Sequence, residues 1–272
     1  TEIEEILSTI WAEVLGLAKE KISVKDNFFE LGGDSIKSII VVSRLKQRGY
    51  TLKIQDLLLH PSIEEVSSRV QITTRIIDQG VVEGEFPLSP IQSYFFEQDI
   101  AKKHHYNQSV LLSSKTKLSE PALRASLTKL VEHHDALRMV FKEKEDGWFQ
   151  ENRGLVNSYS LEVFDDCTEE IFTAHCDRIQ SSINLDTGPL FKVGLFKFET
   201  EDRLLLVAHH LVIDGVSWRI LFEDFSNLYQ QYELGESFSL PMKTDSFKEW
   251  QSTLQHYSLS NTLEKEKPYW SE

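Results

Sequence analysis

The feature that most restricts what this chain can become is a change of hydrophobic rhythm across residues 73–85. Before it, apolar residues recur every three or four positions; after it, helical stretches alternate with short apolar runs. Two such patterns call for two cores, one helical and one mixed α/β, and 272 residues suffice for both. The expected division is an all-α four-helix unit over 1–72, a linker over 73–85 and a mixed α/β lobe over 86–272.

In the first unit Ile3, Ile6, Leu7, Ile10, Trp11, Val14 and Leu15 fall at helical spacing. A loop follows through Asp26 and the pair Phe28-Phe29. The spacing predicts a second helix from Ser35 to about Arg48, with Ile36, Ile39, Ile40, Val42 and Leu45 inward and Gly49 as its stop. Ile54–Leu59 reads as a short helix ended by His60-Pro61, and Ser62 as the cap of a last helix to about Val70. Residues 73–85 show little periodicity. Beyond them, helices are predicted at 90–98, 119–134, 168–183, 216–234 and 246–257. Strands are predicted at 106–112, 137–142, 148–152, 160–164, 190–198 and 203–209.

A net charge of −14 argues against a general nucleic-acid binder. The sequence has no basic tract, no signal-peptide pattern and no apolar run of about 18 residues. A cytoplasmic protein with neither nucleic acid nor membrane as partner is expected. Cys167 and Cys176, the only cysteines, read as reduced neighbours on one helix. The chain begins at Thr1, inside a predicted helix, and is expected to be a piece of a longer polypeptide.

Two short segments carry chemistry. In Leu31-Gly32-Gly33-Asp34-Ser35-Ile36 a serine stands where loop becomes helix. The glycines let the backbone turn and leave room for a bulky partner. The free amides of a helix start favour a phosphate. Ser35 or Asp34 also reads simply as an N-cap. The second segment is His209-His210-Leu-Val-Ile-Asp214-Gly215-Val-Ser217-Trp218, after the apolar run Leu204–Ala208 and before an amphipathic helix. Histidines at a strand end can exchange protons near neutral pH. Asp214 could orient them, and Gly215 could permit the turn. Of the other pairs, His104-His105 reads as surface loop. His133-His134 closes a helix, where imidazolium suits the dipole. No cysteine cluster or His-Glu-x-x-His pattern supports a metal site.

With Asp26-Asn27-Phe28-Phe29-Glu30 ahead of it, the serine segment resembles the peptidyl carrier domains of nonribosomal peptide synthetases, over the whole first unit. The resemblance implies 4′-phosphopantetheine, covalently attached at Ser35 beside Gly33 and Asp34. A phosphopantetheinyl transferase would load it from coenzyme A, and an upstream adenylation domain would choose the amino acid. The His-His-x-x-x-Asp-Gly segment resembles the chloramphenicol acetyltransferase-like superfamily of condensation and epimerisation domains. That implies His210 as the working residue. His209, Gly215, Ser217 and Trp218 would support it, and Asp214 would pair with Arg138 of His134-Asp-Ala-Leu-Arg138. Val216-Ser-Trp-Arg-Ile-Leu221, Pro90-Ile-Gln-Ser-Tyr-Phe95 and Asp34 before the serine resemble the epimerisation branch; Asn184-Leu-Asp186-x-Gly188-Pro-Leu190 fits the shared first half.

The implied reaction inverts the α-carbon of a carrier-bound aminoacyl or peptidyl thioester through a planar enolate, with His210 as base or enolate-stabilising acid. The family's second acid/base group, a glutamate in Glu-Gly-His-Gly-Arg-Glu, has no match here. Residues 86–272 are thus expected to be a first lobe whose C-terminal partner lobe, and a downstream condensation domain, lie elsewhere. The competing readings are a condensation lobe forming peptide bonds, and a carrier and docking module joined to an inert half-domain.

Overall fold

A computed structural model describes residues 1–73, 77–145 and 147–271. The chain divides into two compact units: Thr1–Gln79 with Pro241–Thr244, and Gly80–Leu240 with the residues from Asp245 onward.

The first unit is helical: α1 (Glu2–Leu15), α2 (Ser35–Gln47), the two-residue strand β1 (Tyr50–Thr51), α3 (Ile54–Leu59), α4 (Ile63–Ser67) and β2 (Gln71–Ile72), which pairs antiparallel with β1. Thr1 and Glu4 form a reciprocal capping box at the start of α1, and left-handed Gly16 ends it. Leu7, Ile10 and Trp11 are buried with Phe28, Val41, Leu45, Leu57, Ile63 and Val66. The inward face of α2 departs from expectation. It is Ser38, Val41 and Leu45, whereas Ile39 is 43 % exposed. Isoleucines surround this helix so fully that apolar spacing alone could not fix its rotation.

The second unit contains β3 (Gly84–Phe86), α5 (Pro90–Glu97), β4 (Asn107–Ser114), α6 (Glu120–His133), β5 (Met139–Lys144), β6 (Gly147–Asn152), β7 (Ser160–Phe164), α7 (Glu169–Ser181), β8 (Phe191–Lys197), β9 (Asp202–His209), α8 (Gly215–Glu233), α9 (Phe247–Ser258) and α10 (Asn261–Trp270). Its main sheet has the order β4-β9-β8-β7, antiparallel except for the β7–β8 pair; a smaller antiparallel sheet runs β3-β6-β5. β3 begins inside the stretch expected to be a structureless linker. It is held by backbone pairing of Gly84 to Phe86 with β6, which leaves no hydrophobic rhythm to read.

Both faces of the main sheet are covered, which is why its central strands read as continuous apolar runs. Leu204, Leu206 and Ala208 of β9 join α6 and α8 in one cluster. Leu205 and Val207 join residues of α5, β5 and α7 in the other. Gly194 lets α7 lie close on β8, since a Cβ there would stand 2.6 Å from Ile179 Cδ1. No helix among the described residues is long and apolar enough to cross a membrane.

Candidate functional sites

The serine segment is built around Phe28. That ring is fully buried and meets Trp11 edge-on at 4.8 Å between centroids. Gly32 takes a left-handed φ of 93°. A Cβ on Gly33 would stand 2.4 Å from Phe28 Cδ1 and 2.5 Å from its carbonyl oxygen, so the missing side chain of Gly33 makes room for Phe28, not for a partner. Asp34 is the N-cap of α2: its Oδ1 accepts from Lys37 N–H at 2.7 Å. Because Asp34 takes the cap, Ser35 occupies the first helical position. Its side chain is exposed, and its hydroxyl has no hydrogen-bond partner among the described residues. An exposed free hydroxyl beside unpaired amides at the start of a 13-residue helix fits a phosphodiester.

The histidine segment follows from strand parity. Alternate residues of β9 face opposite sides, so His209 falls on the side of Leu205 and Val207 and is fully buried. It lies edge-on to Phe95 at 5.9 Å. Its Nε2–H donates to the Lys103 carbonyl at 2.7 Å, and its Nδ1 accepts from Leu211 N–H at 3.2 Å. Burial pushes its pKa down to about 4, against the pull of the Lys103 carbonyl. His209 is a neutral ring with both nitrogens committed.

His210, one residue beyond the strand, is exposed. Its backbone N–H donates to the Tyr106 carbonyl at 2.8 Å, and its ring stacks on Tyr106 at 5.6 Å and 14°. Nδ1–H donates to the Ile213 carbonyl at 2.8 Å across the turn. The side-chain amide of Gln108 lies 3.3 Å from Nε2, and Trp218 Nε1–H donates to Gln108 Oε1 at 2.9 Å. Gln108 and Tyr106 escaped the sequence reading. The signal available was a glutamine paired with Ala208 in β4, next to the paired Asn107 and His209. Neither the 290 Å³ cleft lined by Arg124, Thr128 and Tyr159 nor the 700 Å³ cleft lined by Asp165, Cys167 and Lys197 includes His210.

Asp214 caps α8, with Oδ1 accepting from both N–H and Oγ–H of Ser217 at 2.7 Å. Burial raises its pKa, but these bonds, with Val216 N–H and nearby His210, outweigh that and leave it lowered. Gly215 needs no glycine geometry, because its φ is not positive and a Cβ would meet nothing within 4 Å.

The expected Asp214–Arg138 pair does not form. Buried Arg138 pairs instead with Asp135 at 2.5 Å, three residues away in the same turn. It also donates to the carbonyls of Val82, Val131, Glu132 and Arg153. The physical reason is local supply: Ser217 occupies Asp214, and Asp135 neutralises the guanidinium where it enters the core. Val131 and Glu132 lie in the last turn of α6, so Arg138 brings a cation to that helix end. His134 is otherwise engaged; its Nε2–H donates to Asp224 Oδ2 at 2.7 Å and ties α6 to α8. His133 brings a third ligand-type atom into that group, all within 4.8 Å of one another. His104 and His105 are exposed, as expected, although His104 Nδ1 accepts from Leu185 N–H at 3.0 Å. Cys176 lies in α7 and Cys167 just before it; both are free thiols whose pKa is raised by burial.

Comparison with known proteins bears on both segments. The model of the condensation domain matches residues 82–272, and that of the phosphopantetheine attachment site matches residues 5–70. Tyrocidine synthase 2 of Brevibacillus parabrevis is 47 % identical over 99 % of this chain. Gramicidin S synthase 1 of Brevibacillus brevis is 44 % identical over 99 %. This chain spans only 8 % and 25 % of those proteins. Among solved structures, the epimerization domain from the third module of tyrocidine synthetase B is 45 % identical, with a TM-score of 0.69. The match covers 72 % of this chain and 45 % of that one. The starter condensation domain of rhizomide synthetase shares the fold at a TM-score of 0.58 and 19 % identity, over 68 % of this chain and 47 % of that one.

Proposed function

We propose, for a chain that belongs to the condensation-domain family and carries a phosphopantetheine attachment domain ahead of that lobe, that it serves nonribosomal peptide synthesis as a carrier followed by the first lobe of an epimerisation domain. The observation that carries the branch is the 45 % identity to a solved epimerization domain, against 19 % to a starter condensation domain. In this reading residues 1–72 are the carrier, 73–85 the connection and 86–272 the lobe.

Ser35 is the attachment residue. Asp34 holds the helix start that presents it, and Gly33 lets the loop close over Phe28. When bound, phosphopantetheine supplies a thiol on a long arm, which carries an aminoacyl or peptidyl group as a thioester with an acidified α-proton. His210 takes or returns that proton at Nε2, the nitrogen not committed to Ile213. Asp214, Ser217 and Trp218 hold the turn behind it, and His209 and Arg138 secure the strand end and the α6 end. The second acid/base group lies outside residues 1–272, consistent with a match to less than half of the solved domain. Partners in this reading are a phosphopantetheinyl transferase with coenzyme A, an upstream adenylation domain, the remaining lobe and a downstream condensation domain.

The test is α-deuterium washout from a labelled aminoacyl thioester loaded on Ser35 in the full synthetase that contains this chain. Washout without an amine acceptor is expected, and it should vanish in Ser35→Ala together with the mass gain from coenzyme A. Loading that persists in Ser35→Ala removes the attachment assignment. A lengthened product that forms only with an amine acceptor, without washout, replaces epimerisation by condensation.

A further inference from the structure

The geometry points to Gln108 as a positioning residue that holds His210 in its neutral Nδ1–H form, with Trp218 setting the direction of that hold. The inference deepens the acid/base reading of His210 and rests on it for its catalytic meaning. Two groups here have no choice of role. An indole N–H can only donate, and a backbone carbonyl can only accept. Trp218 Nε1–H therefore fixes the atom of Gln108 that faces it, 2.9 Å away, as Oε1. The opposite amide atom, the one facing His210 Nε2 at 3.3 Å, must then be NH2. At the far end Ile213 O, 2.8 Å from Nδ1, requires the imidazole hydrogen on Nδ1. One polarity satisfies all three contacts: Trp218 donates to Gln108, Gln108 to His210, and His210 to Ile213.

Reversing any member sets donor against donor. A proton on Nε2 would face the amide NH2. Turning the amide to receive it would leave the Trp218 N–H facing that same NH2. Trp218 is poorly placed to yield, being 7 % exposed and stacked on Phe222 at 5.4 Å. Tyr106, stacked on the imidazole, fixes its plane. The resting protein thus presents a lone pair at Nε2, guarded by a hydrogen bond of 3.3 Å, just longer than the normal range, which an incoming group can displace. His210 is set to act first as base: the Cα–H bond of substrate breaks, its proton goes to Nε2, and its electron pair stays on the substrate. Among the described residues the Gln108 side chain hydrogen-bonds to His210 and Trp218, so its effect on the reaction passes through the tautomer.

The experiment reads the tautomer directly, without turnover. The full 272-residue chain, labelled with 15N-histidine, is examined by NMR near neutral pH, and the His210 signals are identified by their loss in His210→Ala. Wild type is expected to carry the proton on Nδ1. Gln108→Glu keeps the length of the side chain but offers acceptors to both neighbours, so Nε2 should gain a proton while Nδ1–H stays on the Ile213 carbonyl. Trp218→Phe frees the amide to turn and accept, so part of the population should gain a proton on Nε2. Unchanged His209 signals show that each variant is folded. The inference is overturned if wild-type His210 carries its proton on Nε2, or if Gln108→Glu leaves Nε2 unprotonated. Absence of α-deuterium washout in the wild-type synthetase would instead strike the epimerase reading, and leaves the tautomer result readable.

Discussion

At the scale of single residues, environment separates side chains that the sequence writes alike. His209 and His210 are adjacent, yet one is welded into the core and the other stands open. Burial of neutral His209 links stability to pH. Between the ordinary imidazole pKa of 6.5 and the folded value of about 4, the unfolded chain takes up a proton that the folded chain refuses. Stability therefore falls as pH drops through that window, by about 3 kcal/mol in total, and levels off below it. Urea unfolding across pH 4–7 should show this slope in wild type and a flatter one in His209→Gln, which keeps a donor but does not titrate. Arg138 gives a second residue-scale expectation. Arg138→Ala should cost roughly 3–5 kcal/mol, because it takes the cation from the buried Asp135 carboxylate and a donor from four carbonyls. A double-mutant cycle should find strong coupling of Arg138 to Asp135 and almost none to Asp214. The reverse result would restore the pairing read from the sequence.

At the scale of elements, the sequence was legible where an element buries a face and ends on a distinctive residue. Helix α2 starts at Ser35, β7 runs Ser160–Phe164, and α8 starts one residue before the predicted Val216. It was silent where backbone alone makes the structure, as in β3 and the two-residue pair β1–β2. It was silent too at α10, which contains Pro268 and buries no residue, so it has no apolar stripe. The candidate sites divide the same way. Ser35 and His210 sit at element ends with distinctive neighbours. Gln108 is one polar residue in a strand, and only the fold shows that it meets Trp218. The loop before α2 carries its own prediction. Gly33→Ala would press a Cβ against the Phe28 ring and carbonyl, destabilising the first unit by about 1–3 kcal/mol. Adding Phe28→Leu should recover only part, because the carbonyl remains. Full tolerance of Gly33→Ala in thermal unfolding would show that the contact relaxes freely.

At the scale of the whole molecule, the buried clusters of the two units share no residue. Calorimetry should therefore resolve two transitions. Trp11→Ala should lower only the one belonging to the first unit, and the His209 pH effect should appear only in the other. A single transition that moves as one in both tests would contradict independent cores. The division suits the proposed chemistry, in which one unit presents a tethered substrate and the other a proton acceptor, each preformed by its own packing.

The alternation along β9 has one more consequence. A slip of one residue against β4 would put either Ala208 or His210 in the inward place that His209 now holds. Ala208 there would leave the position beside Phe95 without an imidazole, and His210 there would bring Leu211 out to Tyr106 and Gln108 in place of a ring. Only the register observed gives one histidine to the core and the other to the residues across the ladder.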